Sequence, residues 1–483
     1  MRILFVASEC YPLIKTGGLA DVVGALPLAL ARGGAEVRVM IPAYPGVIAK
    51  LGDPVEVARY AEVFGGPARL VQGATPEGLT VLALDAPHLY DRPGNPYLGP
   101  DGRDWPDNAR RFAALGAIGA AVARFGAADW RPDVVHAHDW QAGLVPAYLS
   151  AAGEPGPATV FTIHNIAFQG LCSAHAFDEL GLPRWVFSPA GLEYYGQASF
   201  LKAGLVFSDR LTTVSPTYAR ELRTPEYGMG LEGVLNERVD ALTGILNGID
   251  THLWDPETDP LLPATYSARK PQGKVRCKAE LQRSLGLHVD PDALLLTVVS
   301  RLTSQKGLDV VLPSIPTILA RGGQLAVLGT GEPALERAFV EAAASNPGKV
   351  ATTIGYDESL AHLLQAGADA ILVPSRFEPC GLTQLYGLRY GTLPIVARTG
   401  GLADTVIDAN DAAIRAGVAT GFQFAPVNAA AFGYAIERVF DVWSDRRAWK
   451  KIQARAMAHP VDWQASASEY RALYDDVLTH RAV

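Results

Sequence analysis

Short, nearly uninterrupted apolar runs recur along this chain, and most end on glycine, histidine, arginine or another polar residue. Ile3–Ala7 runs into Ser8-Glu9, and Val37–Ile41 and Val81–Leu84 follow; Val134-Val135 ends at His136-Ala137-His138-Asp139-Trp140. Thr159–Ile163 ends at His164-Asn165, and Leu211–Val214 at Ser215-Pro216. Strands that read as continuous apolar runs are buried on both faces, the signature of a parallel sheet covered by helices. Helical segments separate the runs, so the expected class is α/β with a doubly wound parallel sheet.

The pattern then restarts. Leu294–Ser300 ends at Arg301, Gln324–Leu328 at Gly329-Thr330-Gly331-Glu332, and Val350–Ile354 at Gly355-Tyr356; Ala370–Val373 ends at Pro374, and Pro394–Ala397 at Arg398-Thr399-Gly400-Gly401. A length of 483 residues exceeds what one core supports. Two domains, each with a doubly wound sheet, are expected, divided at Ile245 to Asn247, where Asn247-Gly248 is a turn signal. The region from Ala43 to Pro106 has weak periodicity and reads as short strands and loops. Asp255 to Gln272 reads as surface loop.

Bulk numbers narrow the function. Apolar residues make up 49% and charged residues 19%, as in a globular chain. A net charge of -8 argues against general nucleic-acid or membrane-surface binding. The four cysteines are scattered and form no C-x-x-C, which fits a reducing cytosol and no zinc or disulfide framework. Ile3–Ala7 is too short for a signal peptide, and no segment reaches an uncharged membrane-spanning length.

Ligands of open α/β sheets sit beyond the carboxyl ends of the strands. That rule selects Glu9, Lys15, His138, Asp139, His164, Asn165, Arg301, Lys306, Gly331, Tyr356 and Glu378. His136 reads as structural. Arg301 and Lys306 follow one strand closely; a guanidinium forks onto two phosphate oxygens and an ammonium adds a point charge. The stretch Val373–Gly391, VPSRFEPCGLTQLYGLRYG, is a strand, a loop carrying Arg376, Glu378 and Cys380, and a helix starting near Leu382. Free amides at such a helix start can hold a phosphate.

One echo links the halves. Thr16-Gly-Gly-Leu-Ala-Asp-Val-Val returns as Thr399-Gly-Gly-Leu-Ala-Asp-Thr-Val, matching at seven of eight positions. Two readings stand: glycine-permitted helix starts, or two amide-lined helix ends presented to one ligand. There is no P-loop. Gly329-Thr-Gly-Glu-Pro-Ala is a weak dinucleotide match because Pro333 falls where a helix should be starting. Asp290-Pro-Asp292 precedes a strand and reads as a turn, not a metal–nucleotide site.

Lys15-Thr-Gly-Gly-Leu, His136-Ala-His-Asp-Trp, Tyr227-Gly-Met-Gly-Leu-Glu, Asn247-Gly-Ile-Asp, Ser300-Arg-Leu-Thr-Ser-Gln-Lys-Gly and Pro374-Ser-Arg-Phe-Glu-Pro-Cys-Gly-Leu-Thr together resemble the bacterial glycogen synthases and their relatives, the plant starch synthases. The resemblance spans essentially the whole chain. It implies a GT-B glycosyltransferase: residues 1–245 an N-terminal Rossmann-like domain on the acceptor side, 246–458 a C-terminal one on the nucleotide-sugar side, a deep cleft between them, and 459–483 a helix crossing back to the first domain. It implies retaining transfer of glucose from ADP-glucose to the non-reducing-end 4-OH of glycogen or a maltooligosaccharide, in the cytoplasm, with no metal, cofactor, nucleic acid or membrane.

Residue by residue, it implies that Lys15 and the Gly18 amide meet the donor diphosphate, with Arg301 and Lys306 clamping the phosphates and Lys278 in a phosphate role. Because Lys15 and Arg301 lie in different domains, one diphosphate can meet both only if the domains close. Glu378 would hold glucosyl hydroxyls, the amides of Cys380, Gly381, Leu382 and Thr383 sugar and phosphate, and Tyr356 the adenine. His164 would stand beside the reacting glucose. Asp21, Asn165 and Asn247 would be further sugar contacts, with Asp139 and Tyr97 toward the acceptor. The chain departs from the pattern at Gln141, where relatives often carry His, and at Cys277, where they carry Asn. The competing expectations are another GT-B enzyme, such as a UDP-glucose-using synthase, and a glucan-binding protein without catalysis.

Overall fold

The computed structural model describes residues 1–481; positions 482–483, the end of the expected 459–483 segment, lie outside the described residues. The chain forms two compact units, Met1–Asn247 with the segment from Trp463 onward, and Gly248–Asp462.

The strands of unit 1 are, in chain order, β1 (Arg2–Val6), β2 (Glu36–Pro42), β3 (Gly52–Tyr60), β4 (Ala68–Ala74), β5 (Thr80–Asp85), β6 (Val134–His138), β7 (Ala158–Ile163), β8 (Leu171–Ser173), β9 (Glu193–Tyr194), β10 (Gln197–Ser199), β11 (Arg210–Thr213) and β12 (Leu242–Gly244). Nine of them make one sheet in the order β12-β11-β7-β6-β1-β2-β5-β4-β3. From β12 to β5 the pairing is parallel, and β4 and β3 add an antiparallel edge. Short strands were expected between Ala43 and Pro106, but not their antiparallel pairing. β3 is largely exposed, so its sequence carries no continuous apolar run. β8, β10 and β9 form a small separate antiparallel sheet.

β1, β6 and β7 are the centre of unit 1; every residue of β6 and β7 is buried. The helix Trp463–Arg481 closes this unit. Its Tyr474 hydroxyl meets His136 Nδ1 at 2.8 Å, Ser466 Oγ donates to Leu246 O at 2.5 Å, and Arg471 donates to Gly33 O at 2.9 Å. Tyr470 and Tyr474 are fully buried, worth about 2 kcal/mol each in apolar area removed from water.

Unit 2 contains β13 (Leu295–Val299), β14 (Gln324–Gly329), β15 (Val350–Ile354), β16 (Ala370–Val373), β17 (Leu393–Ala397) and β18 (Phe422–Phe424), all parallel, in the order β15-β14-β13-β16-β17-β18. Numbered within the unit, that is 3-2-1-4-5-6, so the order reverses between β13 and β16. Pro333, read as an obstacle to a helix, instead occupies the first turn of the helix Pro333–Ser345, where its missing N–H costs nothing. The Asp255–Gln272 segment is more than surface loop. Just before it, Trp254 is stacked between His362 and Tyr386 at 3.9 and 3.8 Å, and buried Asp259 accepts from His362 and Tyr390 at 2.7 and 2.6 Å.

Candidate functional site

In unit 1 the polar groups gather at the carboxyl ends of β1, β6 and β7. The loop after β1 carries Lys15, Thr16, Gly17 and Gly18, all exposed, and Gly18 opens the helix Gly18–Arg32. Lys15 Nζ pairs with Asp21 Oδ1 at 2.8 Å. The loop is held from below by buried Glu9, which accepts from the Thr16 amide, the Gly17 amide, the Thr16 hydroxyl and the Tyr97 hydroxyl.

Asp139 follows β6 with φ of 55°, a left-handed conformation that aspartate tolerates better than most residues. Its Oδ1 accepts from the backbone amides of His164 at 2.7 Å and Asn165 at 3.3 Å, so it fixes the turn after β7. Burial pushes the Asp139 carboxyl up to about 7 against the pull of those amides. His164 Nε2 and His138 Nδ1 share a hydrogen bond of 3.0 Å. Burial pulls His164 down to about 3 and holds His138 and His136 well below the ordinary imidazole value, so all three rings are neutral near pH 7. His136 is structural, bonded to Thr162 at 2.5 Å as well as to Tyr474. His138 Nε2, Gln141 Oε1 and Asn247 Oδ1 are buried polar atoms with no hydrogen-bond partner among the described residues. Asn165 Oδ1 caps the next turn through Ala167 N at 3.0 Å.

In unit 2 the corresponding groups follow β13 and β16, on either side of the point where the strand order reverses. Glu378 is buried, and its Oε2 accepts from Lys306 Nζ at 2.5 Å and from Ser375 Oγ at 2.8 Å. Glu378 and Lys306 line a cavity of about 50 Å³ together with Ser300, Gly381, Leu382 and Thr383. The two loops are tied together by Arg376, whose guanidinium forks onto Asp309 at 2.7 Å and donates to Ser304 O at 2.6 Å. Gly307 has φ of 66°, and a Cβ there would lie 2.0 Å from Pro374 O, so only glycine lets these loops approach.

Arg301 is exposed, and its guanidinium has no hydrogen bond or ion pair among the described residues. The helix Thr383–Tyr390 begins beside Glu378, and the amides of Gly381, Leu382 and Thr383 find no acceptor among the described residues. Gln384 Nε2 braces that start by donating to the carbonyls of Cys380 and Gly381 at 3.0 and 2.9 Å. Tyr356 stands after β15 with 73% of its surface exposed, its hydroxyl on Glu358.

Two expectations are corrected. Lys278 does not belong to this site. Its Nζ is buried and donates to Asp369 Oδ2 at 2.7 Å, Ala293 O at 2.6 Å and Pro291 O at 3.0 Å. Those partners precede β13 and β16, at the opposite end of the strands from Arg301 and Glu378. The second Thr-Gly-Gly copy likewise presents no free Gly401 amide, which donates to Glu378 O at 3.1 Å and Pro379 O at 3.0 Å. The contacts of Ser375, Arg376 and Gln384 and the anchoring role of Glu9 were not read from the sequence. The rule of strand ends points to Glu9, but its four donors are visible only in three dimensions.

Residues 2–237 match the family model described as the starch synthase catalytic domain, and residues 286–456 that of glycosyl transferases group 1. The chain is 56% identical over 478 residues to the glycogen synthase of Roseobacter denitrificans, covering 99% of this chain and 100% of that one. It is 56% identical over 474 residues to that of Paracoccus denitrificans, covering 98% and 99%. The catalytic domain of starch synthase IV from Arabidopsis thaliana, solved with ADP and acarbose, superposes with a TM-score of 0.89 at 33% identity over 99% of both chains. Sucrose-phosphate synthase from Thermosynechococcus elongatus, at TM-score 0.60 and 19% identity over 99% of both chains, shares the fold alone. With relatives this similar along its full length, the chain belongs to the bacterial glycogen synthase family of GT-B glycosyltransferases.

Proposed function

We propose that this chain transfers glucose from ADP-glucose to the 4-OH at the non-reducing end of an α-1,4-glucan, with retention at C1, without a metal ion, and with release of ADP. The observation that carries the reading is the pairing of Glu378 with Lys306 and Ser375 at the carboxyl edge of unit 2, beside unpartnered Arg301 and a helix start with open amides. Unit 2 is the donor side: Arg301 and Lys306 take the diphosphate and Tyr356 offers its open face to adenine. Lys15 and the Gly18 amide add to the phosphate contacts. Unit 1 is the acceptor side, with Tyr97 and Asp139 toward the glucan and His164, Asn165, Asn247 and Asp21 toward sugar.

The C1–O bond to the diphosphate breaks as the bond from acceptor O4 to C1 forms, and the acceptor proton passes to the departing phosphate oxygen. Cations fixed at the leaving group lower the cost of the charge that develops there. A covalent intermediate would need a carboxylate free to attack C1. Glu378 Oε2 already holds an ammonium and a hydroxyl, which suits it to orient sugar hydroxyls and favours front-face attack. The relatives named as glycogen synthases and the ADP in the starch synthase structure support the donor and acceptor classes. Among the described residues no helix is long and apolar enough to cross a membrane, and we place the activity in the cytoplasm with its relatives.

The test is glucose incorporation into glycogen from ADP-glucose and from UDP-glucose, in EDTA, with Glu378→Ala as control. Transfer from ADP-glucose should survive EDTA and fall at least about 10²-fold in the variant. Activity abolished by EDTA and restored by a divalent cation would overturn the metal-free clamp. Preference for UDP-glucose would overturn the donor assignment.

A further inference from the structure

Glu9 is an odd neighbour for a loop that meets an anion. A carboxylate repels a diphosphate, yet this one is buried directly under Lys15–Gly18. Its hydrogen bonds explain it. Oε2 accepts from the Thr16 and Gly17 amides, the second at 3.3 Å. Oε1 accepts from Thr16 Oγ1 at 2.6 Å and from the Tyr97 hydroxyl. A carboxylate offers two oxygens and about four lone-pair positions, and all are used. The Tyr97 hydroxyl also meets Ser8 Oγ at 2.8 Å. Burial first, and then the Glu9 charge, push the Tyr97 phenol far above its ordinary value, so it remains a donor.

We infer that Glu9 is a positioning residue: it shapes the Lys15–Gly18 loop and, through Tyr97, ties that loop to the segment from 91 to 107. This rests on the reading that Lys15 and Gly18 meet the donor diphosphate. What Glu9 supplies is acceptor geometry, not charge. Glutamine can reproduce it, with its carbonyl oxygen facing the two amides and its NH2 donating to the Thr16 and Tyr97 hydroxyls, both able to accept. Alanine cannot: it leaves the Thr16 and Gly17 amides and the Thr16 hydroxyl without their partner, and the Tyr97 hydroxyl with Ser8 alone.

The experiment uses the full chain with Glu9→Ala, Glu9→Gln, Tyr97→Phe and Lys15→Ala. In Glu9→Ala, hydrogen exchange at the Thr16 and Gly17 amides should accelerate about tenfold or more. Its kcat/KM for ADP-glucose should fall about 10²-fold, the scale of a misplaced contact. Glu9→Gln should stay within about threefold of wild type in both, a rescue that a charge role would forbid. Tyr97→Phe should show a smaller acceleration, so the inference remains testable if Glu9→Ala fails to fold. Adding Glu9→Ala to Lys15→Ala should cost little more than the worse single variant.

Unchanged exchange in both Glu9→Ala and Tyr97→Phe, or full additivity with Lys15→Ala, would overturn the inference. A Lys15→Ala variant with wild-type KM for ADP-glucose would overturn the donor reading of the loop. In that case, accelerated exchange in Glu9→Ala would still support Glu9 as its anchor.

Discussion

The two Thr-Gly-Gly-Leu-Ala-Asp copies have one sequence and opposite uses. In unit 1, Thr16, Gly17 and Gly18 are exposed, the loop rests on the Glu9 side chain, and Gly17 has no atom within 4 Å of where a Cβ would stand. In unit 2, Gly400 and Gly401 are buried against the loop that carries Glu378. A Cβ on Gly400 would lie 1.9 Å from Glu378 O, and one on Gly401 2.3 Å from Cys380 O. The first copy is exposed; the second props up the loop that carries Glu378. Both lead into a helix, but Gly17 is extended at φ of −156° and its counterpart Gly400 left-handed at φ of 44°, so the shared letters encode a helix start and not one backbone shape. Each copy's function comes from what packs against it.

The sharpest way to break this comparison is to add a methyl group to the second copy. Gly401→Ala drives Cβ into backbone, with Cys380 Cα at 2.4 Å as well, and no flexible side chain can give way. Gly400→Ala adds a φ of 44° that alanine adopts poorly. We expect each to displace Glu378 and to lower kcat/KM at least about 10²-fold, with a stability loss of about 1–3 kcal/mol. Steady-state kinetics and thermal melting of the two variants check this. Full activity in Gly401→Ala would mean that the second copy does not brace Glu378.

Acid separates the units next. His136, His138 and His164 in unit 1 all have imidazole values depressed by burial, whereas His459 is the histidine so shifted in unit 2. A depressed imidazole stabilises the fold above about pH 6.5 and loses that contribution as pH falls toward the folded value. Asp139 runs the other way: raised to about 7, it keeps its proton when folded, so its stabilising contribution is complete at low pH and is lost as pH rises through 7. Three depressed imidazoles thus oppose one raised carboxyl, so on balance acid weakens unit 1. Limited digestion with an acid-tolerant protease should cut unit 1 first as pH drops from 7 to 5, leaving fragments of unit 2. Simultaneous loss of both units would remove the distinction.

Much of the fold was legible because parallel strands buried on both faces advertise themselves: Leu294–Ser300 and Thr159–Ile163 read as strands without help, and their polar ends picked out Arg301 and His164. In the β3–β4 edge only the presence of short strands was legible, not their bounds or pairing, since an exposed edge strand needs no apolar run. Lys278 was misread for a related reason. A lysine on a helix has the same letter whether it reaches a phosphate or a buried carboxylate, and only the sheet shows that Asp369 lies at the wrong end. The roles of Arg376, Gln384 and Glu9 escaped because they act on backbone or on other side chains across 3 to 88 positions of sequence. The Gly401 amide escaped because a motif does not reveal its neighbour.

The smallest effect is the most discriminating. Gly17→Ala puts a methyl group into open space, at φ of −156° and ψ of −165°, extended backbone that alanine accepts without strain. The melting temperature should move by no more than about 2 °C. If the residue is glycine so that a ligand can come close to the loop, the change should appear in KM for ADP-glucose, as a rise of less than about tenfold, with kcat nearly constant. Gly17→Val should raise KM further at similar stability, because only the approaching ligand meets the larger side chain. A Gly17→Ala variant as unstable as Gly401→Ala would mean that the first copy, too, is packing against protein, and the two loops would then be one device used twice.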